Sequence, residues 1–363
     1  MWISELSGYR WSIPALFFML LSGGCGSEGV TRPTGNGWVF EKLASGNLVG
    51  VHSSLTTSSD GTVHVVYHER DYARLYHARR VGSDQWITSR IDTVGRFGRY
   101  VTIETGPGDT LHLAYQDIYH ADLRYAKFDG GIWSYERFEP STSFGVSPVL
   151  HVGSDNLHLL EINPETDKIN YWFGSIQNWR LAGQISIYKI SANSFDFTLG
   201  PEGPVIVTFE ERYSLGTTLA VKTAAAPESL WNSTVVATSI DAGSNPSCEY
   251  DENGILHVLY QDADGRIVDT AAGIIDEGVD GGVIRLHRDS GPNGGLWALY
   301  THEDGLGLAA FKNGNTWERQ TLISNIHPYG QCDLHVARDG SIHISVYSET
   351  LKGLFYGRWE GAP

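Results

Sequence analysis

A turn-and-strand pattern that returns at regular intervals limits what this chain can fold into. In its clearest form it is Asp60-Gly61-Thr62-Val63-His64-Val65-Val66-Tyr67, a tight turn followed by a short alternating strand. The equivalent positions along the chain are His64, His112, His158, Ile206, His257, Trp297 and His343, separated by 48, 46, 48, 51, 40 and 46 residues. A period in the forties built from short strands and Gly/Asp turns is typical of β-propeller blades and not of helical repeats.

Each repeat has the length of one four-stranded blade. In the second repeat, alternating segments at 100–104, 111–116, 123–128 and 133–138 are separated by glycine-rich turns, as in consecutive hairpins. Seven such units predict an all-β fold, a seven-bladed β-propeller that spans residues 38–363.

The tryptophans predict how the ring closes. A tryptophan opens most outer strands and precedes the next histidine position by 25 to 27 residues. Trp38 stands 26 residues before His64 but has no blade of its own, and the last repeat ends before its own tryptophan. We therefore expect a strand from Trp38 to Leu43 to complete the last blade, because exchange of a strand leaves no open edge. The fifth repeat has no tryptophan near position 271, which predicts a degraded outer strand there.

The N-terminus has the features of a secretion signal. An apolar run from Trp11 to Leu21 is followed by Ser22-Gly23-Gly24-Cys25, and the run is too short for a permanent membrane span. The cysteine after small residues resembles the bacterial lipoprotein signal, which implies a signal peptide at 1–24, lipidation of Cys25 and a flexible tether at 25–37. The resemblance also implies an outer-membrane anchor, facing either the periplasm or the outside. Simple secretion and a misassigned start are the alternatives.

Net charge restricts the classes of partner, and the positions of the cysteines predict their redox state. A formal net charge of -16 argues against a nucleic-acid backbone, which requires clustered basic residues, and leaves cations, sugars and basic proteins. Cys248 and Cys332 fall in non-adjacent repeats, so buried free thiols are expected and not a disulfide. We expect a monomer that meets the membrane only through its lipid.

The recurring histidines are interpreted as structural. Ile206 and Trp297 replace histidine at equivalent positions, a change that packing tolerates and metal coordination does not. The tryptophans are expected to fill the widening gap between neighbouring blades. No metal site is predicted, and no pattern supports a cofactor, a bound Ca²⁺ included.

Ligand contacts are expected on the loops of one face, at the ends of the second strands and the starts of the inner strands. A carboxylate in such a position can simply cap a turn, but several together suit sugar hydroxyls or a cation. The candidate residues are His52, His68, Glu69, Arg99, Tyr100, Gln116, Asp117, Glu211, Gln261, Asp262, Arg285, His287 and Asp333.

The repeat also resembles a known family. Gly50-Val51-His52-Ser53-Ser54-Leu55, Asp60-Gly61 with His64 and Tyr67, Leu75-Tyr76-His77-Ala78 and Trp86 together are similar to the repeat of the bacterial sialidase-like, BNR-type propellers. The resemblance covers roughly 38–363 and implies the architecture. The Phe-Arg-Ile-Pro motif, the arginine triad and the Ser-x-Asp-x-Gly-x-x-Trp boxes of catalytic sialidases are missing, so sialidase activity is not expected.

Two classes of function remain open. The first is a lipid-anchored binding or scaffold protein of the cell envelope, with a glycan or a protein as its ligand. The alternative is a secreted carbohydrate-active enzyme, either a glycoside hydrolase or a polysaccharide lyase. Polysaccharide lyases resemble this architecture and use a His/Tyr pair beside a neutralised uronate, and His52, Tyr100, Arg99, Arg285 and His287 are the candidates for such chemistry if they converge in the fold. A purely structural envelope protein is a third interpretation.

Overall fold

The computed structural model describes the propeller and a short segment before it. The described residues are 32–34, 37–83, 85–91, 97–138, 145–153, 156–188, 194–212, 216–238, 246–277, 285–289, 295–302, 305–312, 316–324 and 330–359. The predicted signal peptide and Cys25 lie outside them. Within these ranges no helix is both long and apolar enough to cross a membrane.

Seven sheets form the ring, and each blade runs from an inner to an outer strand. Two strands precede the first blade, β1 (Arg32–Thr34) and β2 (Trp38–Ser45). Blades 1 to 3 contain β3 (Val49–Thr57), β4 (Val63–Glu69), β5 (Arg74–Val81), β6 (Gln85–Ile91); β7 (Phe97–Thr105), β8 (Leu111–Asp117), β9 (Asp122–Asp129), β10 (Ile132–Arg137); and β11 (Val146–Val152), β12 (Leu157–Asn163), β13 (Lys168–Ser175), β14 (Asn178–Ser186). A 3-10 turn, Pro107–Asp109, joins β7 to β8.

The remaining blades repeat this antiparallel order. Blades 4 to 7 contain β15 (Phe195–Gly200), β16 (Gly203–Arg212), β17 (Gly216–Thr223), β18 (Asn232–Thr238); β19 (Ser247–Tyr250), β20 (Leu256–Gln261), β21 (Ile267–Asp269), β22 (Gly273–Asp276); β23 (Arg285–Arg288), β24 (Leu296–His302), β25 (Gly305–Lys312), β26 (Thr316–Ser324); and β27 (Asp333–Val336), β28 (Ile342–Ser348), β29 (Gly353–Trp359). The predicted seven-bladed propeller is confirmed.

Strand β2 closes the ring as its outer strand. It pairs antiparallel with β29, with Trp38 opposite Trp359, so the last sheet has the order β1-β2-β29-β28-β27. Trp38 is fully buried in a core cluster that joins blades 6 and 7. The predicted closure by a strand beginning at Trp38 is confirmed, and this strand extends to Ser45. Arg32–Thr34, inside the segment predicted as a tether, pairs with β2 as a short strand.

The fifth blade is the thinnest, as its missing tryptophan predicted. Its outer strand β22 has 4 residues and β21 has 3, whereas the outer strands of the other blades have 6 to 9. Both remaining cysteines, Cys248 and Cys332, are buried free thiols, in agreement with the sequence prediction.

The recurring histidines hold neighbouring strands of one blade together. In each case Nδ1 is hydrogen-bonded to a side chain on the third strand, at 2.5 to 3.0 Å: His64 to His77, His112 to Tyr125, His158 to Tyr171, His257 to Asp269 and His343 to Tyr356. Outer-strand tryptophans of the next blade pack edge-on to some of these partners, as Trp179 does on Tyr125. The predicted structural role of the histidines is therefore confirmed.

The tryptophans correct one detail of the prediction. Trp38 is fully buried, but Trp133, Trp179 and Trp231 are only partly buried and flank the core clusters at their outer margins. The gap between blades is widest near the rim, so a large ring there covers the core from the side and keeps one edge in solvent.

Candidate functional site

The inner strands of all seven blades surround a central channel. Its cavity measures about 710 Å³ and is lined by segments of β3, β7, β11, β15, β19, β23 and β27 together with the turns that follow some of them. The lining is mostly polar, with hydroxyls, carboxylates, imidazoles and guanidinium groups. This composition follows from topology, because inner strands have no further strand on their channel side and meet water there.

Near the start of the inner strands, two carboxylates link successive blades. Asp333 accepts hydrogen bonds from the Ser54 hydroxyl at 2.7 Å and from the Leu55 N–H at 2.9 Å, across the closure of the ring. The Ser54 oxygen in turn accepts the Ile103 N–H of the next blade. Burial raises the pKa of Asp333, against the opposing effect of Arg285 and these donors.

The same arrangement returns on the other side of the channel. Asp196 accepts hydrogen bonds from the Ser247 hydroxyl at 2.6 Å and the Cys248 N–H at 3.1 Å, and Ser247 accepts the Leu286 N–H. These chains of hydrogen bonds tie three consecutive blades together at each side. They fix the inner strands as a rigid wall, which is what a preorganised binding site requires.

Deeper in the channel lies a level that contains two glutamates and three histidines, Glu104, His151, Glu249, His287 and His335. His151 Nδ1 is 2.9 Å from Glu104, and its Nε2 lies 2.8 Å from the Phe197 carbonyl. Burial alone would lower the pKa of His151, but Glu104 and Glu249 together with these hydrogen bonds raise it to about 10, so the ring is charged. His287 packs against His335 with ring centroids 4.8 Å apart, and burial lowers the pKa of both, that of His287 to about 4.

A second group of side chains sits where blade 1 meets blade 2, beside the mouth of the channel. We call His52, His68, Arg70, Arg99 and Tyr100 the seam cluster. The His52 ring centroid lies 4.8 Å from that of Tyr100 and 6.2 Å from that of His68. Burial together with the charges of His68 and Arg99 lowers the pKa of His52 to about 3. Burial together with Arg99 and Arg70 lowers the pKa of His68 to about 4.

Backbone geometry makes this seam possible. Gly98 has φ +104, and a Cβ there would lie 2.8 Å from Leu75 and 3.2 Å from the His68 ring. Tyr100 has φ +53, a region that costs a non-glycine residue energy and is often retained at functional sites. The blade 2 strand therefore bends over His68 and turns the Tyr100 side chain toward the channel.

The structure brings together part of the predicted site. Tyr100, Arg285, His287 and Asp333 all line the channel cavity, and His52 joins them through Tyr100. Arg285 Nε lies 4.0 Å from Asp333. The predicted residues therefore form two groups along one channel: His52 with Tyr100, and Arg285 with Asp333. His287 was expected on the face but lies within β23, opposite Trp297, at the deeper level of the channel.

Other predicted residues serve their own hairpins. Asp117 is fully buried, accepts N–H bonds from Tyr119 and His120, and pairs with Arg124 at 2.9 Å. Asp262 likewise binds Arg266. Both carboxylates thus cap the turns of their own hairpins, which is the alternative role that the sequence allowed. Their contact with a ligand stays a prediction.

The remaining candidates contribute little to the channel. Gln116 and Gln261 are buried at the ends of their strands, and Glu69 accepts a hydrogen bond from the Tyr76 hydroxyl. The side chain of Glu211 lies outside the described residues. Asp117, His120 and Asp122 stand close enough to share an ion, but Arg124 and Arg137 already pair with the two carboxylates.

Sequence reasoning missed the deeper level of the channel. Glu104, His151, Glu249 and His335 each stand opposite the recurring histidine position in the strand register. The repeat itself could have found them, since counting back across each hairpin from His112, His158, His257 and His343 leads to the inner strand. The sequence analysis placed ligand contacts on the loops of one face and therefore did not include these inner-strand residues.

These features define a class of protein: a seven-bladed propeller with a polar, rigid central channel. No protein-family model matches the chain, and no curated protein matches it. Among solved structures, AofleA from Arthrobotrys oligospora is similar, with 16% identity and a TM-score of 0.52 over 82% of this chain and 92% of that one.

A second similar structure is a lectin from Aleuria aurantia, described as a six-bladed propeller with a fucose recognition mode. It has 12% identity and a TM-score of 0.50 over 79% of this chain and 100% of that one. At such identities the likeness shows the propeller fold alone, and the blade number differs. The BNR-type resemblance stays a prediction.

Proposed function

We propose that this protein is a carbohydrate-binding module whose ligand occupies the central channel. The observation that carries the proposal is the cavity of about 710 Å³ with a rigid, hydrogen-bonding wall. Carboxylate, hydroxyl and guanidinium groups beside an aromatic ring suit a sugar, because hydroxyls pair with the polar groups and C–H faces pack on the ring. Support also comes from the fold neighbours, one of which is described by its recognition of fucose.

Arg285 and Tyr100 are the residues we expect to contact the sugar. Both line the cavity, and the Arg285 side chain keeps 23% of its surface exposed while lying 4.0 Å from Asp333. A guanidinium held by a carboxylate is oriented in advance, which lowers the entropy cost of binding. The Tyr100 ring offers a flat apolar surface.

A glycan array followed by calorimetry with the best ligand tests the proposal. Arg285→Ala should weaken binding by about tenfold or more, the usual effect of losing a hydrogen bond to a charged group. Arg180→Ala is the matched control, because Arg180 lies on the outer strand of blade 3 and pairs with Glu228. Absence of binding across neutral and acidic glycans would contradict the proposal.

A carbohydrate-active enzyme is the second candidate, favoured by the contact of His52 with Tyr100. In a polysaccharide lyase one group of such a pair abstracts the proton at C5 of a uronate, and the other donates a proton to the glycosidic oxygen that leaves C4 as the C4=C5 double bond forms. Incubation with polyuronates should then produce an unsaturated product with ultraviolet absorbance, and His52→Ala should abolish it. If the protein binds polyuronates but releases no unsaturated product, the enzyme hypothesis is wrong and only the carbohydrate-binding function remains.

We also propose that Cys25 carries a lipid that holds the propeller at the outer membrane as a monomer. The support is the sequence Leu21-Ser22-Gly23-Gly24-Cys25. Cys25→Ser should release the protein into the soluble fraction of its host cells. Unchanged fractionation of this variant would exclude lipidation at that residue.

A further inference from the structure

Two histidines of the seam cluster have buried ring nitrogens without a hydrogen-bond partner in the described part of the chain. His68 is 3% exposed, and its Nε2 has no hydrogen-bond partner among the described residues; the same holds for the buried Nδ1 of His52. Burying a polar atom without a partner costs free energy, and such atoms are uncommon in folded proteins. The two ring centroids lie 6.2 Å apart, so both unpartnered nitrogens belong to one cluster.

The charges around these rings indicate the nature of that partner. Arg99 and Arg70 both act electrostatically on His52, and both act on His68. Neither arginine has an ion-pair partner in the described part of the chain, although several other arginines do, as Arg124 has Asp117 and Arg266 has Asp262. Although the formal net charge of the chain is -16, the arginines of the seam cluster carry positive charge that no described acidic side chain pairs with.

The state of the rings favours an anion over a metal ion. Both pKa values are lowered, so each ring is neutral and can place its single N–H on the unused nitrogen. A neutral imidazole could also bind a metal, but two nearby guanidinium groups repel a cation. Imidazole N–H donors next to arginines are instead suited to an oxyanion.

The seam cluster also borders the channel. The Tyr100 ring touches both, since it lines the cavity and lies 4.8 Å from His52. Arg99 is exposed at the start of the inner strand of blade 2, so a group outside the channel can reach it. One ligand could therefore contact the channel wall and the seam together.

We propose that His52, His68 and Arg99 bind the anionic substituent of an acidic glycan, either a uronate carboxylate or a sulfate ester. The neutral part of the same chain lies in the central channel. This inference rests on the proposed carbohydrate-binding function and specifies its ligand. Arg70 adds charge at the outer margin of the site.

Paired glycans test the inference. The full chain is titrated by calorimetry with polygalacturonate and its carboxyl-reduced form, and with a sulfated galactan and its desulfated form. We expect at least one acidic polymer to bind about tenfold or more tightly than its neutral counterpart, as charge-assisted hydrogen bonds require. The two pairs distinguish a carboxylate from a sulfate.

Variants locate the effect. Arg99→Gln should remove most of the preference for the acidic polymer and leave the affinity for the neutral polymer unchanged; His68→Leu should do the same. Arg180→Gln is the matched control, because Arg180 is an exposed arginine on the outer strand of blade 3, away from the channel, where it pairs with Glu228. It should leave the preference intact.

The outcomes separate this inference from the proposed function. Equal affinity for acidic and neutral polymers would overturn the inference while sugar binding stands. The inference also fails if Arg180→Gln removes the preference as strongly as Arg99→Gln. Absence of binding to all four polymers and to the array would overturn the proposed function and the inference with it.

Discussion

The molecule holds two sets of histidines that differ in their hydrogen bonds. The set on the second strands, for example His112 and His257, uses Nδ1 for a hydrogen bond within its own blade. The Nε2 of His257 makes no hydrogen bond but lies 3.8 Å from a carboxylate oxygen of Asp251. The two at the seam between blades 1 and 2, His52 and His68, each keep a buried nitrogen without a partner in the described structure. Burial lowers the pKa of histidines in both sets, for example that of His112 and that of His68 to about 4, so these rings are neutral.

The repeated histidines have a structural role, and the histidines that depart from the repeat are the ones for which we propose a ligand contact. A residue that returns in every blade must solve a problem common to every blade, such as joining the second strand to the third. His68 lies four residues after His64 on the same strand but belongs to no repeated pair. The unsatisfied nitrogen of His68 is the observation behind the ligand contact proposed at the seam.

Acidification should have the largest effect on the repeated set. Burial lowers the pKa of His64, His112, His158 and His343 to about 4, below the ordinary value of 6.5. The unfolded chain therefore binds protons first as the pH falls from 6.5 toward 4. Each histidine then removes at most about 1.4 kcal/mol of stability per pH unit in that window.

Urea denaturation at a series of pH values measures this loss. His112→Leu serves as an internal check, because its stability should fall less steeply with acid than that of the unaltered protein. A flat stability curve between pH 6.5 and 4 would contradict the structural assignment of these rings.

His257→Leu should be the most damaging single change to a histidine. His257 Nδ1 lies 2.5 Å from Asp269, both side chains are buried, and Trp317 donates to the same carboxylate oxygen. Loss of the imidazole leaves a buried carboxylate short of a partner, which costs about 3 to 5 kcal/mol. A loss below that of His112→Leu, measured by denaturation at pH 7, would reverse the expected order.

His112→Leu should cost less because its partner is neutral. The Tyr125 hydroxyl, 2.6 Å from His112, would be left buried without its hydrogen bond. An unsatisfied neutral group costs about 1 to 3 kcal/mol. The double variant with Tyr125→Phe removes both partners, and we expect it to recover part of the loss in the same denaturation experiment.

His68→Leu should have the smallest effect on stability, within about 1 kcal/mol, because the Nε2 of His68 has no hydrogen-bond partner among the described residues. Its effect on the preference for acidic glycans should be large. A loss of stability as great as that of His112→Leu, with unchanged glycan binding, would place His68 in the structural set and remove the distinction between the two sets.

Much of the fold could be predicted from the sequence, but less of the site. The distance from Trp38 to His64 matched the other outer strands, and the structure pairs Trp38 with Trp359 as expected. Among the predicted contacts, Tyr100 and Asp333 reach the channel, whereas Asp117 turns into its own hairpin. Strand ends look alike in sequence whether their side chains point to a ligand or to a turn.

The sequence by itself determined the number of blades, the closing strand and the structural role of the repeated histidines. These features depend on hairpins, and partners within a hairpin lie at a fixed distance along the chain, such as the 13 residues from His112 to Tyr125. Only the tertiary structure decided that Tyr100 meets His52 and that Asp333 meets Ser54 across 279 residues. Contacts between blades depend on how twisted sheets pack around the axis, which spacing does not record.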